Sequence, residues 1–221
     1  MQNNFLFFKE EMMINRQIIK ELVFRFNDII KANEYRKINN NISDLNIDDI
    51  SKEPLFLNLL ENIQEKFKKI TGFNDLKFDK LWLVPSFFDE EKPNLPYLSH
   101  IDKKRYLKAM VYLHDITVDH GPIHFAKANK KINIEQLRKK LPKDYKKKLL
   151  NVIDDNYLHG KMKPMTGRAG DVVFFDTNTP HKAGIIKSGF YRKIIRLDFE
   201  RPFFNTKPSL LSRFINKLKL S

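Results

Sequence analysis

Cysteine is absent from this 221-residue chain, which excludes disulfides, zinc–cysteine sites and thiol nucleophiles together. Any bound metal must take its donors from His, Asp or Glu, a set that favours borderline-hard ions over soft ones. Long apolar runs are missing too. No stretch approaches the roughly 20 apolar residues of a membrane span. The apolar run from Phe5 to Phe8 is far too short for a signal peptide, so no transmembrane segment and a cytoplasmic location are expected. Internal repeats, low-complexity tracts and Gly/Ser linkers are likewise absent, so a single domain over 1–221 is the simplest organisation.

Acidic residues are in deficit, 27 against 41 Lys and Arg, leaving a formal charge of +14. That excess raises the prospect of an acidic partner. The lysines are nevertheless spread along the chain, with one dense run from Lys139 to Lys148, and they accompany high Asn and Ile, as a biased genome composition would produce. Nucleic acid is therefore not the expected partner. A small-molecule substrate is, and an anionic one fits the charge most easily; the oligomeric state is left open. With 42% hydrophobic residues and 19 Phe, the chain can build a substantial core and is not a disordered one.

The first 75 residues predict a helical support. Ile14, Ile18, Ile19, Leu22, Val23, Phe26, Ile29 and Ile30 recur at helical spacing. A second helix is expected after Ser51 as N-cap, carrying Leu55, Leu59, Leu60, Ile63 and Phe67 and ending at Gly72. From about Phe78 the pattern turns to short β-like runs punctuated by Pro, Gly and Asn: LKFDKLWLVPSFF, YLKAMVYLHDI, GPIHFA, DVVFFDT and YRKIIRLDFE. Helices followed by many short strands predict a mainly β fold with flanking helices. The expected core is a double-stranded β-helix (jelly roll, cupin-like) over 76–205, interrupted by a Lys-rich insertion at about 130–163 and followed by a basic tail over 206–221.

The chemistry is sought first in His100-Ile101-Asp102. On a strand, residues two apart project to one face, so the imidazole and the carboxylate point together while Ile101 faces away. His181, after a strand ending in a turn with Asn178 and Pro180, is the best candidate for a third ligand. Two His and one carboxylate leave several positions open on a metal, as non-haem Fe(II) oxygenases require. The other histidines, His114, His120, His124 and His159, are read as structural or surface groups, although His124 sits on a strand where it can face a pocket. Trp82 is read as core, and Gly170-Asp171 as a turn in which Asp171 accepts local backbone bonds.

The ordered set HIDKKRYLKAMVYLHDITVDHGPIHFAKANKK and GRAGDVVFFDTNTPHKAG, within Leu81 to Phe199, resembles the phytanoyl-CoA dioxygenase family of Fe(II)/2-oxoglutarate oxygenases. The resemblance implies His100, Asp102 and His181 as metal ligands. It further implies Fe(II), the cosubstrate 2-oxoglutarate, and O2, with hydroxylation of a small substrate and release of succinate and CO2. It also puts Arg192, eleven residues beyond His181, on the far carboxylate of 2-oxoglutarate, which a planar guanidinium can grip bidentately. Arg192, Ile194, Arg196 and Asp198 share a strand face by alternation, so Arg196 is the second choice, with pairing to Asp198 its simpler role. Ile194 replaces the Ser or Thr many relatives carry, and Ala126–Lys130 replaces the usual Pro-Gly-Ser-His. The alternatives are a nucleic-acid-directed oxygenase of the same superfamily and a catalytically inactive jelly-roll binding protein.

Overall fold

The computed structural model describes residues 7–39, 42–89, 97–126, 153 and 162–201. His159, the basic tail and nearly all of the Lys-rich insertion lie outside the described residues. The elements are β1 (Phe7–Glu10), α1 (Arg16–Ala32), β2 (Arg36–Asn39), β3 (Ile42–Leu45), α2 (Ile47–Ile50), α3 (Pro54–Thr71), β4 (Lys77–Phe87), β5 (Leu107–Tyr112), β6 (Ile123–Phe125), β7 (Lys163–Pro164), β8 (Val172–Asp176), β9 (His181–Ala183) and β10 (Tyr191–Glu200).

Both long helices form where the apolar spacing predicts. The Asn15 side chain caps α1 by accepting from the Ile18 amide, and Ile19, Leu22, Phe26 and Ile29 make its buried stripe. The start of α3 differs from expectation. Ser51 closes the short α2, which opens on an Asn46–Asp49 capping box. Glu53 stands at the N-cap of α3 without a side-chain capping bond, and Pro54 takes the first turn, where its missing N–H costs nothing. Gly72 ends α3 as expected, at φ +69°. The N-terminal region is also not purely helical, since β1, β2 and β3 lie within it. These four-residue strands are too short to show a period, and β1 finds its partner far along the chain, pairing Phe7 with Phe175.

The larger sheet is antiparallel in the order β1-β8-β5-β10-β4-β3-β2, and the smaller is β7-β6-β9. Alternation sends Leu81 and Leu83 of β4, Leu107, Ala109 and Val111 of β5, and Ile195, Leu197 and Phe199 of β10 toward the helices. There Phe67 of α3 meets Phe174 and Phe199 edge-on, with ring centroids 4.9 and 5.4 Å apart. The opposite face carries Tyr112, Val173, Phe175 and Ile194, which pack with Ile123, Phe125 and Met165 from the smaller-sheet side. Strand β8 is thus apolar on both faces, which is why VVFFD reads as an unbroken run. Pro85 is tolerated inside β4 because pairing with β3 stops at Ser43 and Leu83, so no ladder bond is lost on that side. These two facing sheets with outer helices are the expected jelly-roll architecture.

Gly170-Asp171 is the expected turn, with an added duty. Asp171 accepts from the Arg168 amide at 2.9 Å and from the Met12 amide at 2.9 Å, while the Gly170 carbonyl takes the Ile14 amide at 3.1 Å. The turn therefore fastens the segment leading into α1. Gly170 sits at φ +93°, and a Cβ there would lie 2.3 Å from the Ile14 carbonyl oxygen. Gly170→Ala is expected to cost about 2 kcal/mol or more, from the left-handed backbone plus the clash. Urea unfolding measures it, and an unchanged midpoint would show that the turn relaxes freely.

Candidate metal centre

His181 opens β9 directly after a tight turn. Asp176 organises that turn by accepting from the Asn178 amide at 2.9 Å through its carboxylate and from the Thr179 amide at 2.8 Å through its carbonyl. Arg105 holds the same carboxylate with its Nε and a terminal nitrogen, the latter at 2.5 Å. His100 faces His181 across an isolated antiparallel bridge, with both reciprocal backbone bonds at 2.9 Å. The His-x-Asp tripeptide is not on a regular ladder, contrary to the simple strand expectation. Ile101 nonetheless points away into full burial, while Asp102 turns to the side of the imidazoles.

The two rings are prepared in the same way. His100 Nδ1 lies 2.7 Å from the Leu98 carbonyl and His181 Nδ1 lies 2.8 Å from the Thr179 carbonyl. A carbonyl only accepts, so each Nδ1 carries the proton and each Nε2 keeps its lone pair. Those Nε2 atoms lie 3.6 and 3.5 Å from Asp102 Oδ1. Candidate donor atoms of the three residues all fall within 4.8 Å of one another. Metal bonds to imidazole and carboxylate of about 2.0–2.2 Å let one ion bridge donors up to about 4.4 Å apart, a span that covers both Nε2–Oδ1 separations.

Electrostatics favour the binding forms. Burial, and then the neighbouring His181, push the His100 imidazole down to about 4, so it is neutral at physiological pH. Burial would raise the Asp102 carboxyl, but the neighbouring Lys108 ammonium outweighs it and holds the group well below the ordinary carboxylate range. Two imidazoles and one anionic oxygen are the donor set of the two-His, one-carboxylate iron sites, so the residues fit such an ion.

A cavity of about 220 Å³ adjoins these residues, lined by Lys108, Met110 and Tyr112 of β5 and by Arg192, Ile194 and Arg196 of β10, among others. Arg192 is only 8% exposed. It donates to the Gly121 carbonyl and, at 3.5 Å, to Ser86 Oγ, while its Nε has no partner among the described residues. Burial pulls its guanidinium below the ordinary value, with Tyr97 and Tyr112 acting in the other direction. A buried cation without a carboxylate is costly, and an anionic ligand in the cavity would relieve that cost.

Arg196 takes the role expected for it: Nε and a terminal nitrogen reach the two Asp198 oxygens at 2.9 and 3.0 Å. It also lies 4.7 Å over the Trp82 ring, whose N–H donates to Asp198 at 2.9 Å. Trp82 is thus a half-buried residue on the cavity side of β4, not core, because alternation places it opposite Leu81 and Leu83. His114 accepts from the Lys193 amide at 3.1 Å and His120 Nδ1 from the Thr117 amide at 3.2 Å, so both are structural. On β6 it is Ile123 that lines the cavity, and His124 turns its Nδ1 to the Pro122 carbonyl at 2.9 Å.

Lys108 is the site residue that the sequence reading passed over. Its ammonium lies 2.5 Å from Asp102 Oδ2. The available signal was a Lys at an inward-facing position in an otherwise apolar strand, LKAMVY.

Among solved structures, the epimerase SnoN in complex with Fe3+, alpha-ketoglutarate and nogalamycin RO matches at 15% identity over 92% of this chain and 86% of its own, with a TM-score of 0.62. HygX from Streptomyces hygroscopicus, with nickel and 2-oxoglutarate bound, matches at 12% identity over 89% and 83%, with a TM-score of 0.60. The carbocyclase SnoK, described as a non-heme alpha-ketoglutarate-dependent enzyme, matches at 16% over 94% and 85%, also at 0.60. No curated protein sequence matches the chain. At these identities the structures establish the fold; Fe3+ is named for the SnoN structure, nickel for that of HygX and 2-oxoglutarate for both, and the donor set above fits such a metal. The profile of the phytanoyl-CoA dioxygenase (PhyH) family matches residues 26–194, and with that span, fold and donor set in agreement the chain belongs to this family.

Proposed function

We propose that the protein is an Fe(II)- and 2-oxoglutarate-dependent dioxygenase that hydroxylates a small, anionic organic substrate. The observation that carries the cofactor assignment is a pairing: an open triad of His100, Asp102 and His181 beside a buried Arg192 that has no carboxylate partner among the described residues. The triad binds the metal and leaves room for other ligands. Arg192 supplies the charge-assisted grip that orients a dicarboxylate from its far end. When bound, iron and 2-oxoglutarate supply the oxidising power, with O2 consumed and succinate and CO2 released.

The chain's own residues do the rest. The Leu98 and Thr179 carbonyls fix both imidazoles in the binding tautomer. Phe175, Ile194, Val84 and Ile123 exclude water from one side of the cavity, which strengthens each polar contact within it. Ile194 removes the hydroxyl that relatives place there, so Arg192 carries more of the cosubstrate recognition. The anionic character of the substrate is supported by the +14 formal charge alone, because Lys108 and Arg196 are paired with Asp102 and Asp198 and Arg192 serves the cosubstrate.

Hydroxylation is the chosen outcome, although the neighbours include an epimerase and a carbocyclase. Succinate release measured with Fe(II), 2-oxoglutarate and a panel of acids, nucleotides, amino acids and lipids tests the proposal. Substrate-stimulated succinate with a product heavier by one oxygen is expected. Folded protein that forms no visible charge-transfer band with anaerobic Fe(II) and 2-oxoglutarate would sink it.

A further inference from the structure

The two oxygens of Asp102 are used differently. Oδ1 faces His100 Nε2 and His181 Nε2 at 3.6 and 3.5 Å, while Oδ2 takes the Lys108 ammonium at 2.5 Å. Asp102 itself is loosely held by the backbone: it lies outside strands β1 to β10, and its amide reaches the Thr177 carbonyl at 3.3 Å. Lys108 stands on firmer ground, inside β5 between the buried Leu107 and Ala109. Its side chain is only 10% exposed, and the Tyr106 ring lies 5.6 Å from its ammonium. Holding a cation in so little water is costly unless it is paired, and Asp102 is the partner recorded for it among the described residues.

We infer that Lys108 is a positioning residue that restricts Asp102 to binding the metal through one oxygen, Oδ1. The inference rests on the iron reading above. A carboxylate can bind a cation through one oxygen or two. Two imidazoles and one oxygen leave three positions on a six-coordinate ion, enough for a chelating cosubstrate plus O2. With Oδ2 released, the carboxylate is free to rotate and fill a further position, which the chelating 2-oxoglutarate then has to win back. The ammonium thus acts through Asp102 without touching the metal. It also pre-sets the ligand direction before any ion arrives.

The test uses the full chain loaded with Co(II) in place of iron, so that no turnover is needed. Lys108→Met keeps the stem and removes the donor. It is expected to retain Co(II), to change the visible Co(II) spectrum in the absence of 2-oxoglutarate, and to weaken 2-oxoglutarate binding about tenfold, the lower end of what losing a hydrogen-bond partner of a metal ligand costs. Lys108→Arg is expected to restore both spectrum and affinity. If Lys108→Met does not fold, Lys108→Gln serves, with the same changes at smaller amplitude. Weaker 2-oxoglutarate binding with an unchanged Co(II) spectrum would mean that Lys108 contacts the cosubstrate directly, and would overturn the inference. Unchanged binding and spectrum would do the same. Failure of the unaltered protein to bind Co(II) at all would instead remove the iron reading, and this inference with it.

Discussion

Replacing Arg192 with Met is expected to raise the KM for 2-oxoglutarate by about 10²–10³-fold while changing kcat at saturation far less. Truncating one partner of a buried charge pair costs about 2–5 kcal/mol, and each 1.4 kcal/mol is tenfold. The guanidinium is 8% exposed, and its recorded partners are a carbonyl and a hydroxyl, so its charge has no compensation within the described residues. The effect should therefore fall on ligand binding and not on folding. Losing the bond to Gly121 costs about 1 kcal/mol, but a buried, uncompensated cation goes with it, and its desolvation penalty is several kcal/mol. The cosubstrate-free variant is accordingly expected to melt no lower than the unaltered protein, and the upward thermal shift that 2-oxoglutarate produces should vanish. A variant with normal 2-oxoglutarate affinity would show that Arg192 has another role.

His181→Ala is expected to abolish substrate-dependent succinate release, by about 10³-fold or more, together with metal binding. Metal-ion catalysis contributes several kcal/mol of charge stabilisation, and each 1.36 kcal/mol is tenfold in rate. His181 offers a prepared lone pair, with Nδ1 tied to the Thr179 carbonyl and Nε2 facing Asp102. No other described histidine can replace it, because His114 and His120 already accept backbone amides and His124 is absent from the cavity wall. His114→Ala is the matching control and should leave metal affinity unchanged. Calorimetric titration with Co(II) reads both variants. Metal binding by His181→Ala at the unaltered affinity would place the ion elsewhere.

The candidate ligands were legible through donor chemistry and family pattern together: without cysteine, His and carboxylate are the donors left, and the ordered motifs around His100, Asp102 and His181 single them out. Arg192 was legible only through the family spacing. Alternation did place Arg192, Ile194, Arg196 and Asp198 on one face, yet it gave no means of choosing between two arginines. The choice follows from their partners, since Asp198 satisfies Arg196 and no carboxylate among the described residues satisfies Arg192. Partners 2 or 71 residues away look alike in a one-dimensional pattern.

What amino-acid order determined by itself was local: the apolar stripes of α1 and α3, the Gly72 stop, the alternation of the central strands and the donor chemistry of the site. These depend on side-chain period and backbone preference over a few residues. Tertiary structure alone decided the pairing of the short strands β1, β2 and β3, the stacking of Arg196 on Trp82, and the meeting of Lys108 with Asp102. Each of those depends on which distant segment lies alongside. Hydrogen bonds between strands and the burial of one particular face are properties of the pairing, and a short polar segment carries too little period to announce its partner.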